Sequence, residues 1–246
     1  MRPLPSGSAR CRRTRRAPPV HTAAGRRSHW SSVTSADPAR PAALVILLTG
    51  PSGSGKSSLA ARTGLPVLAL DDFYKPAGDP TLPQLPGGGP DWDSPASWDA
   101  RAALDAIEAL ARGAAVRVPV YDIAASAVTG HRAFGPVAAP AFVAEGIFAA
   151  ELVGRCRELG LLGEALCLRG RPAVTAWRRF RRDLREGRKS VPYLVRRGWR
   201  LMRAEGPIVA RQTALGARAC DGAQALARIA AVADAGAAEE RAAAPA

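Results

Sequence analysis

The sequence contains no apolar run approaching the roughly 18 residues that cross a bilayer. Its longest candidate is the stretch from Ala42 to Leu48, so a membrane-spanning helix is not expected. Cysteine is scarce. Cys11, Cys156, Cys167 and Cys220 are scattered without a C-x-x-C pair, which argues against structural zinc and for a reducing, cytosolic setting. Two of them lie in apolar stretches expected to be buried. Lysine is nearly missing: Lys56, Lys75 and Lys189 are the only three, and all fall in segments that carry chemistry below. No apolar signal-peptide core follows the N-terminal charges, so secretion is not expected. There is no internal repeat.

What is present is a chain of 246 residues, 47% hydrophobic, enough for one substantial core. The net charge of +14 raises the question of nucleic acid, and its distribution bears on the answer. Residues 1–40 hold nine Arg and one Asp, and most of the remaining excess falls between Arg169 and Arg203. Arg, Pro, Ser and Ala without periodicity cannot bury enough apolar surface to fold, so residues 1–40 are read as a disordered basic tail. An organelle transit peptide would need an amphipathic helix, which Pro3, Pro5, Pro18 and Pro19 oppose; a misassigned start codon is an equal alternative. The expected domain spans residues 41–236, followed by an uninformative Ala-rich tail at 237–246.

Ala42 to Leu48 has no polar alternation and reads as a fully buried strand. Pro66 to Leu70 reads the same way. Between them, Lys56 to Arg62 favours a helix that closes at Gly64, so the unit is strand, glycine loop, helix, strand. That opens a parallel α/β sheet. After a Pro/Gly-rich loop from Pro76 to Pro90, Ser97 to Arg112 carries Leu104, Ile107, Leu110 and Ala111 on one helical face. Val116, Val118 and Val120 alternate as a strand. Ala141 to Ala144 and Ala165 to Leu168 read as further buried strands, and beyond Pro172 the chain reads as helical nearly to Ala235, with a break near Pro207. His131 reads as a loop residue.

Gly50-Pro51-Ser52-Gly53-Ser54-Gly55-Lys56-Ser57 matches G-x-x-x-x-G-K-[ST] in the required context, a buried strand before it and a helix after. In such a loop, glycines let the backbone N–H groups converge on phosphate oxygens, aided by the N-terminal end of the helix that continues through Ser58. Lys56 would reach the β- and γ-phosphates and Ser57 would coordinate Mg²⁺. The loop fixes a nucleotide phosphate site without naming a reaction. A GTPase would carry D-x-x-G and N-K-x-D, and neither string occurs. A motor ATPase would usually end an apolar strand in Asp, whereas Phe142-Val143-Ala144-Glu145 ends in Glu. Glu145, at a strand's C-terminal edge, is a candidate Mg²⁺ ligand, directly or through water; the alternative is a solvated acid opening a turn.

Asp71-Asp72-Phe73-Tyr74-Lys75 follows the second buried strand and brings two carboxylates to the same sheet edge. One could accept the proton of an attacking hydroxyl in phosphoryl transfer, or both could serve as caps in a turn.

Together these segments resemble the uridine kinase and phosphoribulokinase family of P-loop kinases, and its uridine kinase-like branch most. The resemblance runs from about Leu44 to about Pro207. It rests on the glycine loop, Asp71 to Lys75, Trp92-Asp93-Ser94-Pro95 with Trp98-Asp99, Val118 to Asp122, Glu145-Gly146-Ile147, and Arg178-Arg179-Phe180-Arg181-Arg182-Asp183, in that order. It implies a three-layer P-loop fold with a mostly parallel central sheet and an Arg-rich helical lid, using ATP and Mg²⁺. It implies further that Asp71 is the base at an acceptor 5′-hydroxyl and that Asp93 holds ribose hydroxyls. Tyr74 and Tyr121 would line the nucleoside pocket and Arg179 would face the sugar, while Arg182 and Arg188 would close over the phosphates. Guanidinium groups suit that last role, since they meet phosphate oxygens two at a time and a closing lid excludes water.

The sequence departs from that branch where its pyrimidine-reading His would follow Asp122; Ile123-Ala124-Ala125-Ser126 stand there instead. The acceptor therefore stays open between a nucleoside (uridine or cytidine) and another small hydroxyl compound such as nicotinamide riboside, pantothenate or a sugar phosphate. A nucleic-acid-binding P-loop NTPase, gripping phosphates with Arg178 to Lys189, is the alternative from another class. Homo-oligomer formation is also left open.

Overall fold

The computed structural model describes residues 40–170 and 205–243; the N-terminal tail and the Arg-rich stretch with Arg179, Arg182 and Arg188 lie outside the described residues. The uninterrupted apolar run Leu44–Thr49 forms β1, the middle strand of a five-stranded sheet. Its neighbours are β2 (Val67–Ala69), β5 (Ala141–Glu145), β6 (Leu162–Leu168) and β7 (Arg218–Cys220), in the order β2-β5-β1-β6-β7. Every pairing in this sheet is parallel, and Val45 through Leu48 are fully buried, as a strand covered on both faces requires.

The covering helices come from alternate sides. On one face Val45, Leu47, Phe142 and Cys167 pack with α2 (Ala100–Ala111) and α3 (Val153–Glu158) in one apolar cluster. On the other, Ile46, Leu48, Val143 and Leu166 pack with α1 (Lys56–Ala61) and with a long C-terminal helix through Ala225 and Ile229. The result is the expected three-layer α/β sandwich, with the glycine loop leaving the central strand.

Several boundaries differ from the sequence reading, for local reasons. The helix expected from Ser97 starts at Ala100, because the Asp99 carboxylate accepts from the Ala102 N–H at 2.9 Å and caps it, while Pro95–Ser97 forms a separate 3₁₀ turn. The continuous helix expected beyond Pro172 is interrupted among the described residues. Helix α4, described over 205–214, gives way to β7, whose three residues are too short to show a strand pattern. The C-terminal helix, α5 (Gly222–Ala243), runs past residue 236 into the segment read as a tail. Ala is the strongest helix former, and an Arg40–Glu239 ion pair ties this part of the helix to the start of the domain.

Val116, Val118 and Val120 belong to β3 (Val116–Asp122), which pairs antiparallel with β4 (Ala127–Phe134) in a hairpin outside the parallel sheet. His131 is therefore a strand residue, not a loop residue. β4 escaped notice because its residues are exposed or half-exposed on both faces, which leaves no alternation to read.

The glycine that begins the loop cannot be replaced without moving a strand. Gly50 has φ of 142°, and a Cβ there would lie 2.4 Å from the Leu168 carbonyl oxygen on β6. Gly154, on α3, would meet nothing within 4 Å. Gly50→Ala is expected to cost about 1–3 kcal/mol in chemical denaturation, whereas Gly154→Ala should be neutral or stabilising by up to about 1 kcal/mol. Equal midpoints for the two variants would contradict the close approach of the loop to β6.

Candidate active site

Parallel strands bring their C-terminal ends to one edge, and the register sets how level those ends are. Glu145 pairs with Leu48 of β1 on one side and with Ala69 of β2 on the other. The last residue of β5 thus stands between the glycine loop, which follows β1, and the 3₁₀ turn Leu70–Phe73, which follows β2. Three segments separated in sequence meet here because three strands stop at the same height.

The loop itself is tightly wound. Gly53 and Gly55 have φ of 80° and 97°, the Ser54 N–H donates to the Pro51 carbonyl at 3.1 Å, and Gly55 leads into α1 without a side-chain cap. α1 has six residues, so an anion at this loop would rest on loop backbone N–H groups more than on a long helix dipole. Lys56 is 7% exposed; its ammonium donates to the Gly50 carbonyl at 2.9 Å and the Pro51 carbonyl at 3.3 Å. The Ser54 hydroxyl is buried with no hydrogen-bond partner among the described residues. Ser52 and Gly53 are half-buried, and Ser57 and Ser58 face outward at the start of α1.

The Ser57 hydroxyl donates to Glu145 Oε1 at 2.8 Å. Burial raises the Glu145 carboxyl above its ordinary range, opposed by the Ser57 hydrogen bond and the Lys56 charge and reinforced by the charge of Asp71. Asp71 is exposed at the site, and the next residue after Glu145 explains how close it comes: a Cβ on Gly146 would sit 3.2 Å from Asp71 Oδ1 and 2.8 Å from the Leu70 Cβ. Only glycine lets the acid-bearing turn lie against the end of β5. The carbonyl after it is held from two sides, since Ile147 accepts from the Thr49 hydroxyl at 3.1 Å and from the Gln212 side-chain amide at 2.9 Å. Gln212, on α4, in turn accepts from the Cys167 thiol at 3.1 Å.

Beside the acids is an aromatic wall. The Tyr74 ring lies 5.8 Å from Tyr121, 5.9 Å from Phe148 and 6.0 Å from Trp92, centre to centre. The Tyr74 hydroxyl donates to the Trp92 carbonyl at 3.4 Å. Its phenol is pushed up from its ordinary range, first by burial and then by the negative charges of Asp71 and Asp93. Trp98 pins the turn beneath: it is 3% exposed and its indole N–H donates to the Leu70 carbonyl at 2.7 Å.

The structure therefore gathers Gly50 through Ser58, Asp71, Tyr74, Asp93, Tyr121 and Glu145 along one sheet edge and its adjoining wall. Arg179, Arg182 and Arg188 fall outside the described residues. Sequence reasoning missed Phe148, whose place in the wall comes from packing on Tyr74 and Trp98 and has no local motif. It also missed Arg132, on the unrecognised strand β4, which pairs with Asp72. No cluster of three or more His, Cys, Asp or Glu side chains suited to a metal occurs among the described residues. Ser57 and Glu145 together offer hard oxygen donors of the kind Mg²⁺ prefers alongside phosphate oxygens and water.

No family model matches the chain. Among solved structures it is similar to a protein provisionally described as a fructose transport system kinase from Silicibacter sp. TM1040, at 22% identity and a TM-score of 0.48, over 76% of this chain and 91% of that one. It is also similar to the YGR205w protein, at 17% identity and a TM-score of 0.44 over 73% and 86% of the two chains. A provisionally described uridine kinase from Bacillus stearothermophilus matches at 19% identity and a TM-score of 0.40, over 54% and 74%. At these values neither a substrate nor a reaction follows from the likeness.

The raised Glu145 pKa has a definite sign. The folded protein holds that proton more tightly than the unfolded chain, so the contribution to stability is full below the ordinary carboxylate range and is lost as pH rises through the raised value. In Glu145→Gln the amide oxygen can still accept from Ser57 while the buried charge is gone. Thermal melts should show the variant matching wild type in acid and melting at an equal or higher temperature at pH 8. A clearly lower melting temperature at pH 8 would mean that Lys56 and Ser57 stabilise the ionised carboxylate by more than its burial costs.

Proposed function

We propose that this chain is an ATP-dependent kinase that transfers the γ-phosphoryl group to a hydroxyl of a small molecule, with the 5′-hydroxyl of a nucleoside such as uridine or cytidine as the acceptor. The observation that carries the proposal is the meeting of the glycine loop, the half-buried hydrogen bond from Ser57 to Glu145 and the Asp71 carboxylate on one sheet edge. An ATPase that only hydrolyses its nucleotide could use a second carboxylate to activate water, but it needs no aromatic wall beside it. A phosphotransferase to an alcohol does, because the acceptor must be both held and deprotonated.

In this reading the loop amides and the buried Lys56 ammonium hold the triphosphate, and the Ser54 hydroxyl gains a phosphate oxygen as partner. Ser57 and Glu145 would hold Mg²⁺, which when bound neutralises charge on the phosphate oxygens. Asp71 takes the proton from the acceptor hydroxyl as its oxygen bonds to the γ-phosphorus, and the bond to the β-phosphate oxygen breaks to leave ADP. Asp93 holds the sugar hydroxyls, and Tyr74 and Tyr121 pack against the acceptor, with Phe148 and Trp92 behind Tyr74. Arg179 would face the sugar and Arg182 and Arg188 would meet the phosphates, although all three lie outside the described residues. The basic tail at residues 1–40 takes no part, and the free thiols of Cys156, Cys167 and Cys220, all buried among the described residues, suit a cytosolic setting. No described helix is long and apolar enough to cross a membrane.

A second acceptor class, another hydroxyl compound such as nicotinamide riboside, pantothenate or a sugar phosphate, is favoured by one feature. The tip of the β3–β4 hairpin presents Ile123, 65% exposed, followed by Ala124, Ala125 and Ser126, and offers no imidazole to a pyrimidine. An ATP-consumption screen of the purified chain against nucleosides, vitamins and sugar phosphates separates the two classes. With the acceptor it identifies, Asp71→Asn should lower turnover by roughly 100-fold or more while ATP binding persists, as loss of a general base requires. Near-normal turnover would remove Asp71 from the mechanism.

A further inference from the structure

The two adjacent acids after β2 face different groups. Successive residues of a 3₁₀ turn are offset by about 120°, so the Asp71 and Asp72 side chains leave it in different directions. Asp71 lies against Gly146 at the end of β5, whereas Asp72 turns to the hairpin. Asp72 Oδ1 accepts from the backbone N–H of Tyr121 at 3.3 Å, and Oδ2 meets the Arg132 guanidinium at 3.3 Å. Tyr121 is on β3 and Arg132 on β4, so one carboxylate holds both strands of the hairpin.

The grip falls where the hairpin ladder is irregular. Val120 pairs with Gly130 but Tyr121 pairs with Val128, a register shift that leaves Thr129 extra; its hydroxyl donates to the Val120 carbonyl at 3.2 Å. Such bulges re-aim the side chains beside them. Here the residue beside the bulge is Tyr121, whose ring stands against Tyr74 and whose hydroxyl donates to the Lys75 carbonyl at 3.3 Å. Arg132 is braced in its turn, its guanidinium 5.6 Å from the centre of the Phe134 ring. The ion pair is too open to stabilise the fold much, with side-chain exposures of 41% for Arg132 and 21% for Asp72. Its effect is on position.

We propose that Asp72 is a positioning residue of the acceptor site: by clasping Tyr121 and Arg132 it holds the β3–β4 hairpin at a fixed distance from the turn that carries Asp71, and so sets the width of the acceptor pocket. The proposal rests on the kinase reading only for the identity of what enters that pocket. Tyr121 and Arg132 stand on the two paired strands, so removing either end of the clasp should loosen Tyr121, and removing both should do no more than removing Asp72 alone.

The test compares the full-length chain with Asp72→Ala, Arg132→Ala, the double variant, and Asp72→Asn, which keeps an oxygen for the Tyr121 N–H and loses the ion pair. Steady-state kinetics with the acceptor found by screening should give an acceptor KM raised roughly tenfold in Asp72→Ala, with kcat and the ATP KM within about threefold of wild type. Asp72→Asn and Arg132→Ala should fall between, and the double variant should match Asp72→Ala. Amide hydrogen exchange over residues 116–134 should quicken at least tenfold in Asp72→Ala while β1 and β5 keep their protection. Wild-type exchange in the hairpin, an unchanged acceptor KM, effects that add in the double variant, or an ATP KM that rises with the acceptor KM would each overturn the proposal. If no compound consumes ATP, the kinase reading fails by itself, and exchange in the hairpin alone upholds or overturns the clasp.

Discussion

The site depends on the height at which three parallel strands stop. Leu48, Glu145 and Ala69 are aligned across β1, β5 and β2, and the residues that follow them are the glycine loop, Gly146 and the acid-bearing turn. Because a parallel ladder fixes neighbours in register along its whole length, the packing of Ile46, Phe142 and Leu68 below the edge determines where Lys56, Glu145 and Asp71 stand relative to one another. A slip by one residue would turn Glu145 to the other face of the sheet and break its hydrogen bond to Ser57.

Two glycines make the crowding at this edge feasible. Gly50 lets the loop pass against the Leu168 carbonyl, and Gly146 lets Leu70 and Asp71 approach the end of β5. The consequence is electrostatic. Two carboxylates come close in a partly dry site, the Glu145 carboxyl is raised by burial and by Asp71, and the Lys56 ammonium and Ser57 hydroxyl act against that rise. The edge is thus a polar arrangement held under mutual tension, suited to the arrival of a triphosphate and a divalent cation, which would supply more negative and more positive charge at the same place. The aromatic side of the site is built differently. Tyr74, Phe148, Trp92 and Tyr121 form a wall whose parts come from four separate segments, and the hairpin that brings Tyr121 is anchored in the core by the buried Val118 and joined nearer the site through Asp72, the Lys75 carbonyl and the bond from the Ala77 N–H to the Ser126 carbonyl.

What could be read from the sequence follows from how local each feature is. The glycine loop was legible because its eight residues, a buried strand and a short helix are contiguous. Asp71 and Glu145 were legible as acids at the ends of apolar runs, although their nearness to each other depends on Gly146 and on strand order, which no local pattern reveals. The buried strands β1, β5 and β6 showed themselves by unbroken apolar runs. β4 did not, since Val128, Thr129, His131 and Arg132 are all exposed, and β7 did not, since Arg218–Cys220 is too short for a period. The end of α5 was misread because an Ala-rich segment looks featureless, yet alanine is the residue that most favours a helix. Phe148 and Arg132 gain their places from tertiary contacts alone.

The central claim is spatial, and a crystal structure with a non-hydrolysable ATP analogue and Mg²⁺ tests it most directly. The account predicts the triphosphate within the loop, the ion against Ser57 and Glu145, and the Asp71 carboxylate within about 6 Å of the γ-phosphorus, room for one hydroxyl between them. A γ-phosphate directed away from Asp71, or a nucleotide bound elsewhere than at the loop, would contradict it.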